Sequence, residues 1–212
     1  MKLIMWDWDG TLVDTMPDHA KLAARCMNSS FGMETSKAKE EYLNTTGIPF
    51  EKQLEKIFPD AGKRRILACA KKYHEEKMID VYKNPKDFPE AIEVMKWINS
   101  KGFCQVISSS TEELIIREWM INHKINLEVL GKESGSKKDH IQNLKGIFKN
   151  VFSEVEIIFV SDSYGDMSLP ATTLGVDVPK DKENIFRDYG AKHVSFHPVS
   201  FKWLEEVKSY LV

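Results

Sequence analysis

The sequence predicts an α/β protein built on a doubly wound parallel sheet with an inserted helical domain. A short apolar run at residues 3–6 has the length and composition of a strand buried on both faces. Residues 14–85 then show helical spacing without a convincing strand. From residue 87 onward, strand-like and helix-like segments alternate, which favours parallel strands joined by right-handed crossovers. We therefore expect the helical stretch to be an insertion after the first strand.

The inserted segment is expected to form several helices. Gly32 follows the first helical pattern as a stop, and Thr35 or Ser36 can cap a short second helix. A loop at residues 44–49 precedes a third helix, and a long last helix ends before Pro85. These boundaries predict a core of residues 1–15 and 87–212 and a helical cap of residues 16–86.

Five further strands are predicted after the insertion, at residues 103–108, 126–130, 156–161, 174–178 and 192–196. Helices are expected between them. Ser110 and Glu113 have the spacing of a capping box, and residues 136–150 carry an apolar face. In a doubly wound sheet, ligands bind beyond the carboxyl ends of the strands, so polar residues that follow separate strands are expected near one crevice.

Composition excludes several classes of protein. The chain has 212 residues, a net charge of −2, 29% charged and 42% hydrophobic residues, so nothing indicates nucleic-acid or membrane affinity. Cys26, Cys69 and Cys104 are widely spaced without a CxxC pair, which argues against a disulfide framework or a zinc site. Acidic residues interrupt the first apolar run, so we expect no signal peptide. The sequence favours a cytoplasmic protein.

The first strand ends in an acidic pair, Asp7 and Asp9, followed by Gly10. In an extended backbone, side chains two residues apart point to the same side, roughly 6–7 Å apart along the strand. Two carboxylates that face one space repel each other unless a cation lies between them or one is protonated. An acidic turn without function is the alternative interpretation of the pair.

Three further polar sets lie at the same edge of the predicted sheet. The serines at 108–110 end the second strand, where hydroxyl and N–H groups can bind an anion or simply cap a helix. The lysines at 137 and 138 open a later helix, where they either meet a negative partner or are merely solvated. Asp162 and Asp166 follow a strongly strand-like run and offer oxygen ligands suited to Mg²⁺. A metal together with a lysine and hydroxyl donors around a carboxylate nucleophile is typical of sites that catalyse phosphoryl transfer.

These residues resemble the four motifs of the haloacid dehalogenase superfamily. The matching elements are Asp7-Trp-Asp9-Gly10-Thr11-Leu12-Val13-Asp14, Ser108 after an apolar strand, Lys137, and Asp162-x-x-x-Asp166. The first element is highly specific, and the others follow in the expected order. The resemblance covers essentially the whole chain. It includes the helical cap that marks the branch similar to phosphoglycolate phosphatase and β-phosphoglucomutase, and it implies a Rossmann-like core.

The resemblance also implies a role for each motif. Asp7 is the implied nucleophile that forms an aspartyl-phosphate, and Asp9 the implied general acid and then base. Ser108, Ser109 and Lys137 would bind the phosphoryl group. Lys137 is preferred to its neighbour because of the family's spacing to an apolar residue four positions later.

The cofactor and the substrate contacts are likewise implied by the resemblance. The cofactor is Mg²⁺, and its implied ligands are Asp7, the backbone carbonyl of Asp9, and Asp162, with Asp166 nearby. Substrate choice would lie in the cap loop, where Thr46 and Phe50 are the candidate contacts.

The resulting expectation is a Mg²⁺-dependent phosphatase, a phosphoric monoester hydrolase acting on a small phosphorylated metabolite. A sugar phosphomutase of the same fold and a non-catalytic phospho-ligand binding protein are the alternatives. The chain departs from the family pattern at Ser161, where relatives usually carry glycine, and at Pro170. Because proline is tolerated only in a first helical turn, the helix after Asp166 is expected to be short or broken.

Overall fold

The structure is a computed structural model that describes residues 1–46 and 48–211. The chain divides into two compact units. One unit comprises Met1–Asp14 and Asp87–Val212, and the other comprises Thr15–Lys86. The roles of these units as catalytic core and cap stay predictions. Among the residues that the structure describes, no helix combines the length and the hydrophobicity that crossing a membrane requires.

The first unit is built on a six-stranded parallel sheet. Its strands are β1 (Lys2–Trp6), β2 (Cys104–Ser108), β3 (Glu128–Leu130), β4 (Glu156–Ser161), β5 (Thr172–Gly175) and β6 (His193–Val194). They are arranged in the order β3-β2-β1-β4-β5-β6, and every neighbouring pair is parallel. This is the strand order of a doubly wound sheet, and the predicted α/β fold class is confirmed.

The helices of the described chain fall into two groups. The second unit contains α1 (Met16–Phe31), α2 (Thr35–Asn44), α3 (Phe50–Ile57) and α4 (Lys63–Asp80). The first unit contains α5 (Ala91–Ser100), α6 (Glu113–His123), α7 (Lys137–Lys149), α8 (Glu183–Asp188) and α9 (Phe201–Leu211).

The central strand β1 is buried on both faces, as its apolar run predicted. Side chains alternate between the two faces of a strand. Leu3 and Met5 pack in one cluster with Ile141 of α7. On the opposite face, the rings of Trp6 and Trp203 of α9 lie 5.7 Å apart. Since burying one such side chain contributes about 1.5–3 kcal/mol, this layered packing holds β1 firmly at the centre of the unit.

The strand register aligns the carboxyl ends of three neighbouring strands. Trp6 of β1 lies opposite Ile107 of β2 and opposite Val160 of β4. The residues that follow, Asp7, Ser108 and Ser161, therefore stand at one level on adjacent strands. The sequence alone placed these positions at strand ends, and the register brings them to the same edge.

The second unit is helical, with α1 packed against α2 and α4. Its interior holds a hydrogen-bonded network of aromatic side chains. The Tyr73 hydroxyl lies 2.7 Å from His19 Nδ1 and 3.2 Å from the Tyr42 hydroxyl, and the Tyr82 hydroxyl lies 3.1 Å from His19 Nε2. All four side chains are buried. Buried polar groups in proteins are almost always paired in this way.

Two predicted helix caps are wrong. Helix α2 is capped by Glu34, whose carboxylate accepts from the N–H groups of residues 36 and 37, and not by Thr35 or Ser36. The longer glutamate side chain reaches the same orphan N–H groups from one position earlier. The predicted capping box of Ser110 and Glu113 also does not form, because α6 begins later, after Glu112.

Two further details refine the predicted elements. The weak strand predicted at residues 174–178 lies earlier, at Thr172–Gly175, and pairs in parallel with β4. The chain around Asp166 forms a short 3₁₀ segment, Tyr164–Ser168. This segment ends before Pro170, in agreement with the short helix expected from the proline. Gly47 of the predicted cap loop lies outside the described residues.

Candidate active site

The turn after β1 depends on Gly10. Its φ of +72° is a left-handed conformation that other residues adopt only with strain. A Cβ atom at this position would also overlap the Asp162 carboxylate. The turn is closed by the Gly10 N–H, which donates to the Val13 carbonyl at 2.8 Å. A residue without a side chain thus lets the loop after β1 approach the loop after β4.

Lys137 joins two carboxylates at this edge. Its Nζ donates to Asp7 Oδ2 at 2.8 Å and to Asp166 Oδ2 at 2.6 Å. A capping box formed by Ser136 and Asp139 fixes the start of α7, and with it the origin of the lysine side chain. The two carboxylates offset the unfavourable position of a cation in a first helical turn.

Ser161 links the same two carboxylates. Its fully buried hydroxyl lies 3.0 Å from Asp7 Oδ2 and 2.7 Å from Asp166 Oδ2, and it accepts from the Ser163 N–H at 3.1 Å. A hydroxyl has a single hydrogen, so it can donate fully to only one carboxylate at a time. The serine that replaces the usual glycine therefore adds a donor beside the predicted nucleophile.

Burial dominates the electrostatics of the carboxylates. It raises the pKa of Asp7 to about 6, against the opposing attraction of Lys137. Burial, followed by the charge of Asp7, also raises the pKa of Asp162. Burial alone would lower the pKa of Lys137, but the carboxylates of Asp166 and Asp7 outweigh it and raise that pKa. The lysine is therefore a permanent cation at neutral pH.

Asp162 is held by the motif that follows β1. Its backbone N–H donates to Thr11 Oγ1 at 3.1 Å, and its carboxylate Oδ1 lies 3.4 Å from the same hydroxyl. The side chain is partly exposed, whereas Thr11 is fully buried. Thr11 thus ties the loop after β4 to the loop after β1 and orients the carboxylate.

These groups leave a surplus of negative charge. Among the described residues, Asp7 and Asp166 both contact the ammonium group of Lys137, and the charge of this lysine also acts on Asp162. When these three carboxylates are ionised, they carry two more negative charges than Lys137 offsets, and the nearby carboxylate of Asp9 adds to this surplus. A divalent cation would reduce it. Carboxylate oxygens are also the donors that Mg²⁺ prefers. The donor chemistry and the charge of this cluster therefore fit the predicted metal.

The described residues contain no ready-made cage for a metal. Within residues 1–46 and 48–211, no group of three or more His, Cys, Asp or Glu side chains is arranged to hold a metal ion. Mg²⁺ is commonly bound by one or two carboxylates together with waters and substrate phosphates. The predicted ligand set of Asp7, Asp9, Asp162 and Asp166 stays a prediction, and Asp166 is at present engaged by Lys137 and Ser161.

Asp9 accepts a hydrogen bond from a different group than Asp7 does. Its Oδ2 accepts from Thr111 Oγ1 at 2.6 Å. Thr111 is buried in the loop between β2 and α6, and its N–H donates to Ser109 Oγ at 3.0 Å. The carboxylates of the acidic pair therefore have different surroundings, one at a lysine and the other at a hydroxyl.

The serines after β2 differ in exposure. Ser108 and Ser109 are buried, whereas Ser110 is exposed. Ser108 Oγ lies 2.8 Å from Nδ1 of His140, a fully buried residue of α7. Ser109 instead supports Thr111, as described above. Of the three hydroxyls, Ser108 is the one that stands level with Asp7 in the sheet.

The candidate substrate contacts of the second unit lie in different environments. Phe50 is buried, and its ring lies 4.2 Å from the ring of Tyr73 and 6.0 Å from that of Tyr42. This packing favours a role of Phe50 in the interior of the helical unit. The Thr46 hydroxyl donates to the Leu43 carbonyl at 3.3 Å, at the end of α2. Their role in substrate binding stays a prediction.

Sequence reasoning did not identify several residues that support the site. The structure adds Thr11, Thr111 and His140 to it. Thr11 is part of the motif at residues 7–14, so the sequence already indicated that its position matters. Thr111 directly follows the serine run and could have been included with it. His140 gave no signal beyond lying three residues after Lys137, one turn along the same helix face.

The fold and the site together define a class: an α/β protein whose parallel sheet carries carboxylates, a lysine and serine hydroxyls at its carboxyl edge. The family model of the haloacid dehalogenase-like hydrolases matches residues 4–179. The chain therefore belongs to the haloacid dehalogenase-like hydrolase family, and the resemblance stated from its motifs is confirmed. No curated protein is significantly similar to it in sequence.

Solved structures with the same fold cover nearly the whole chain. A predicted haloacid dehalogenase-like hydrolase from Bacteroides fragilis has a TM-score of 0.77 and 16% identity, covering 95% of this chain and 98% of its own. A predicted phosphatase from Clostridium acetobutylicum has a TM-score of 0.73 and 14% identity, covering 98% of each chain. A predicted β-phosphoglucomutase from Bacteroides vulgatus has a TM-score of 0.73 and 19% identity, covering 100% of this chain and 90% of its own. At these identities the likeness shows the shared fold.

Proposed function

We propose that this hydrolase is a Mg²⁺-dependent phosphatase that hydrolyses a small phosphorylated metabolite. The observation that carries the proposal is the contact of Asp7 with Lys137 at the carboxyl edge of the sheet, 2.8 Å between Oδ2 and Nζ. A carboxylate beside a permanent cation, in a cluster with a surplus of negative charge, suits a nucleophile that works with a metal and a phosphate. The similarity to the predicted phosphatase from Clostridium acetobutylicum agrees with this activity.

The proposed reaction uses the acidic pair in two roles. An Asp7 oxygen attacks phosphorus, the bond from phosphorus to the leaving oxygen breaks, and Asp9 gives that oxygen a proton. Water then attacks the aspartyl-phosphate while Asp9 takes the proton back, which releases phosphate and restores Asp7. The different partners of the carboxylates support this division, because Asp9 accepts from the Thr111 hydroxyl whereas Asp7 accepts from Lys137.

The remaining groups would bind the phosphoryl oxygens. Lys137 supplies a fixed positive charge, and Ser108 supplies a hydroxyl donor that stands level with Asp7. When bound, Mg²⁺ would offset part of the negative charge of the cluster and of the phosphoryl group. The residues that would hold it are Asp7, Asp162 and the backbone carbonyl of Asp9, with Asp166 nearby. These donors act on the group that all phosphomonoesters share, so they set reaction type and not substrate choice.

Substrate choice is assigned to the helical unit in this proposal. Thr46, Phe50 and the rest of the loop at residues 44–50 are the candidate contacts. An inserted domain suits this task, because a cap can exclude water during attack and admit it for hydrolysis. A panel of phosphorylated sugars, phosphoglycolate and nucleotides would identify the substrate.

The direct test is hydrolysis of p-nitrophenyl phosphate with Mg²⁺ and after treatment with EDTA. We expect turnover that disappears in EDTA and returns with Mg²⁺. Calorimetry of Mg²⁺ binding to wild type and to Asp162→Asn gives a readout apart from activity, and the variant should bind more weakly. An unchanged rate in EDTA contradicts the metal assignment. Absence of turnover on every phosphomonoester contradicts the proposed function.

A phosphomutase is the second candidate function. The similarity to the predicted β-phosphoglucomutase from Bacteroides vulgatus, together with the inserted helical unit, favours it. A mutase must protect the aspartyl-phosphate from water and return the phosphoryl group to a second hydroxyl of a sugar phosphate. Isomerised product and a requirement for a sugar bisphosphate would distinguish it from a phosphatase.

A further inference from the structure

His140, the hydrogen-bond partner of Ser108, has no role in the reaction described so far. Ser108 Oγ and His140 Nδ1 lie 2.8 Å apart, and both side chains are fully buried. His140 is on α7, one turn after Lys137, which contacts Asp7. One helix therefore supports both of the groups proposed to bind the phosphoryl oxygens, one directly and the other through a hydrogen bond.

The direction of this hydrogen bond decides what Ser108 can do. A serine hydroxyl has one hydrogen, and phosphoryl oxygens can only accept. If Ser108 donates to His140, it presents lone pairs to the phosphoryl group and repels it. If His140 Nδ1–H donates to Ser108 Oγ, the hydroxyl hydrogen is available for a phosphoryl oxygen.

The surroundings of His140 favour the second arrangement. Burial lowers the pKa of His140, and a weaker hydrogen bond with the Gly131 backbone opposes this effect, so the ring is neutral at pH 7 and has one N–H. Its Nε2 is buried and makes no hydrogen bond. A buried N–H without an acceptor is rarer in proteins than an acceptor without a donor, which places the hydrogen on Nδ1.

We propose that His140 is a positioning residue for phosphoryl binding. In the Nδ1–H tautomer it donates to Ser108 Oγ and directs the serine hydroxyl hydrogen toward the phosphoryl oxygen. This inference rests on the proposed function of the site. A purely structural role, in which the pair only satisfies two buried groups between α7 and β2, is the competing explanation.

The test compares two replacements of His140. His140→Asn keeps an N–H donor near the position of Nδ1, whereas His140→Leu has a similar size and no donor. We expect His140→Leu to lower kcat/KM for p-nitrophenyl phosphate about 10- to 100-fold, since a hydrogen bond to a charged acceptor contributes that much. His140→Asn should recover most of this loss. Ile141→Val, which loosens packing at the next position of α7, should leave kcat/KM close to wild type.

A double-mutant cycle separates positioning from packing. In a Ser108→Ala background, His140→Leu should cause no further loss, because the hydroxyl that it orients is absent. Binding of inorganic phosphate by calorimetry should fall by a similar factor in His140→Leu and recover in His140→Asn. Equal losses in both His140 variants, or an undiminished loss in the Ser108→Ala background, would overturn the inference.

Nitrogen-15 NMR of the wild-type imidazole tests the tautomer without any variant. With phosphate bound, Nδ1 should carry the hydrogen, and a hydrogen on Nε2 instead would refute the proposal even if both variants failed to fold. A wild type that neither hydrolyses phosphomonoesters nor binds phosphate overturns the proposed function and this inference together. An active wild type with Nε2–H overturns the inference alone.

Discussion

Both units of the molecule bury a polar cluster, and the clusters differ in charge. In the helical unit, His19, Tyr42, Tyr73 and Tyr82 form hydrogen bonds between neutral hydroxyls and an imidazole. At the edge of the sheet, the ammonium group of Lys137 contacts the carboxylates of Asp7 and Asp166, and its charge also acts on Asp162. The members of the first cluster pair with one another. The second keeps an uncompensated charge that a ligand can neutralise.

This difference separates a structural from a functional use of buried polar groups. A matched neutral network stabilises its unit and requires no partner. A buried surplus of charge is unfavourable in the free protein, so it persists where function requires it. We therefore expect changes at the charged cluster to affect chemistry and changes at the neutral network to affect stability. The following predictions test that contrast, beginning with the largest effect.

Asp7→Asn should have the largest effect of any single change. The amide has the shape of the carboxylate but is neutral and a poor nucleophile, so turnover should fall at least about a hundredfold. Stability at pH 7 without metal should be maintained or rise, because one charge of the surplus is removed. Steady-state kinetics and thermal denaturation check both parts.

Asp181→Asn is the matched control for Asp7→Asn, since this aspartate is exposed and lies in the 3₁₀ segment Lys180–Lys182. It should leave both readouts at wild-type values. If Asp7→Asn keeps more than about a hundredth of the activity, Asp7 is not the nucleophile.

The fold class and the charged residues of the site could be predicted from the sequence, whereas the hydrogen-bonded network of the helical unit was not. The motif Asp7-Trp-Asp9-Gly10-Thr11 and the alternation of strands and helices predicted the fold class and the family. Helix caps were less predictable, because Glu34 competed with two better-known capping residues for the start of α2. The sheet register, which places Ser108 level with Asp7, depends on long-range pairing that a sequence pattern does not contain.

The supporting residues of the site were the least predictable. The partners of Thr111 and His140 lie 102 and 32 positions away in the chain, at Asp9 and Ser108. Threonine and histidine are common in loops and helices, so neither residue carries a local pattern that separates it from its neighbours. Only the fold brings each to a motif residue. The hydrogen bonds at the sheet edge therefore identify supporting residues that the spacing of the motifs does not indicate.

Gly10→Ala should have the next largest effect. A left-handed conformation costs a residue with a Cβ about 1–3 kcal/mol, and the added atom would also displace the Asp162 carboxylate. We expect a loss of at least about 2 kcal/mol in stability together with reduced activity. Gly62→Ala is the control, because its φ is −61° and a Cβ there meets no atom within 4 Å. Equal behaviour of the two variants would contradict the close approach of the loops.

The pH dependence of stability tests the charge surplus itself. The pKa of Asp7 is raised from 3.8 to about 6, so between these values the folded protein binds a proton that the unfolded chain does not. Its stability must therefore decrease as pH rises through this window. From pH 5 to pH 7 the metal-free wild type should lose about 1–1.5 kcal/mol through this group. Denaturant titrations at both pH values measure the slope, and Asp7→Asn should remove this contribution. A slope unaffected by the substitution would contradict the burial of an unmatched charge at Asp7.

Tyr73→Phe should have the smallest effect, and it should lower stability while leaving activity almost unchanged. The change removes the hydroxyl that lies 2.7 Å from His19 Nδ1 and 3.2 Å from the Tyr42 hydroxyl, while the ring keeps its packing on Phe50. Stability should fall by about 0.5–1 kcal/mol, the net contribution of a neutral hydrogen bond. Turnover of p-nitrophenyl phosphate should stay within about threefold of wild type, because no charge is added or removed. Tyr189→Phe, an exposed change in the first unit, should alter neither quantity. A tenfold loss of kcat with unchanged stability would mean that the neutral network also serves the reaction, and charge surplus would then no longer separate the two clusters.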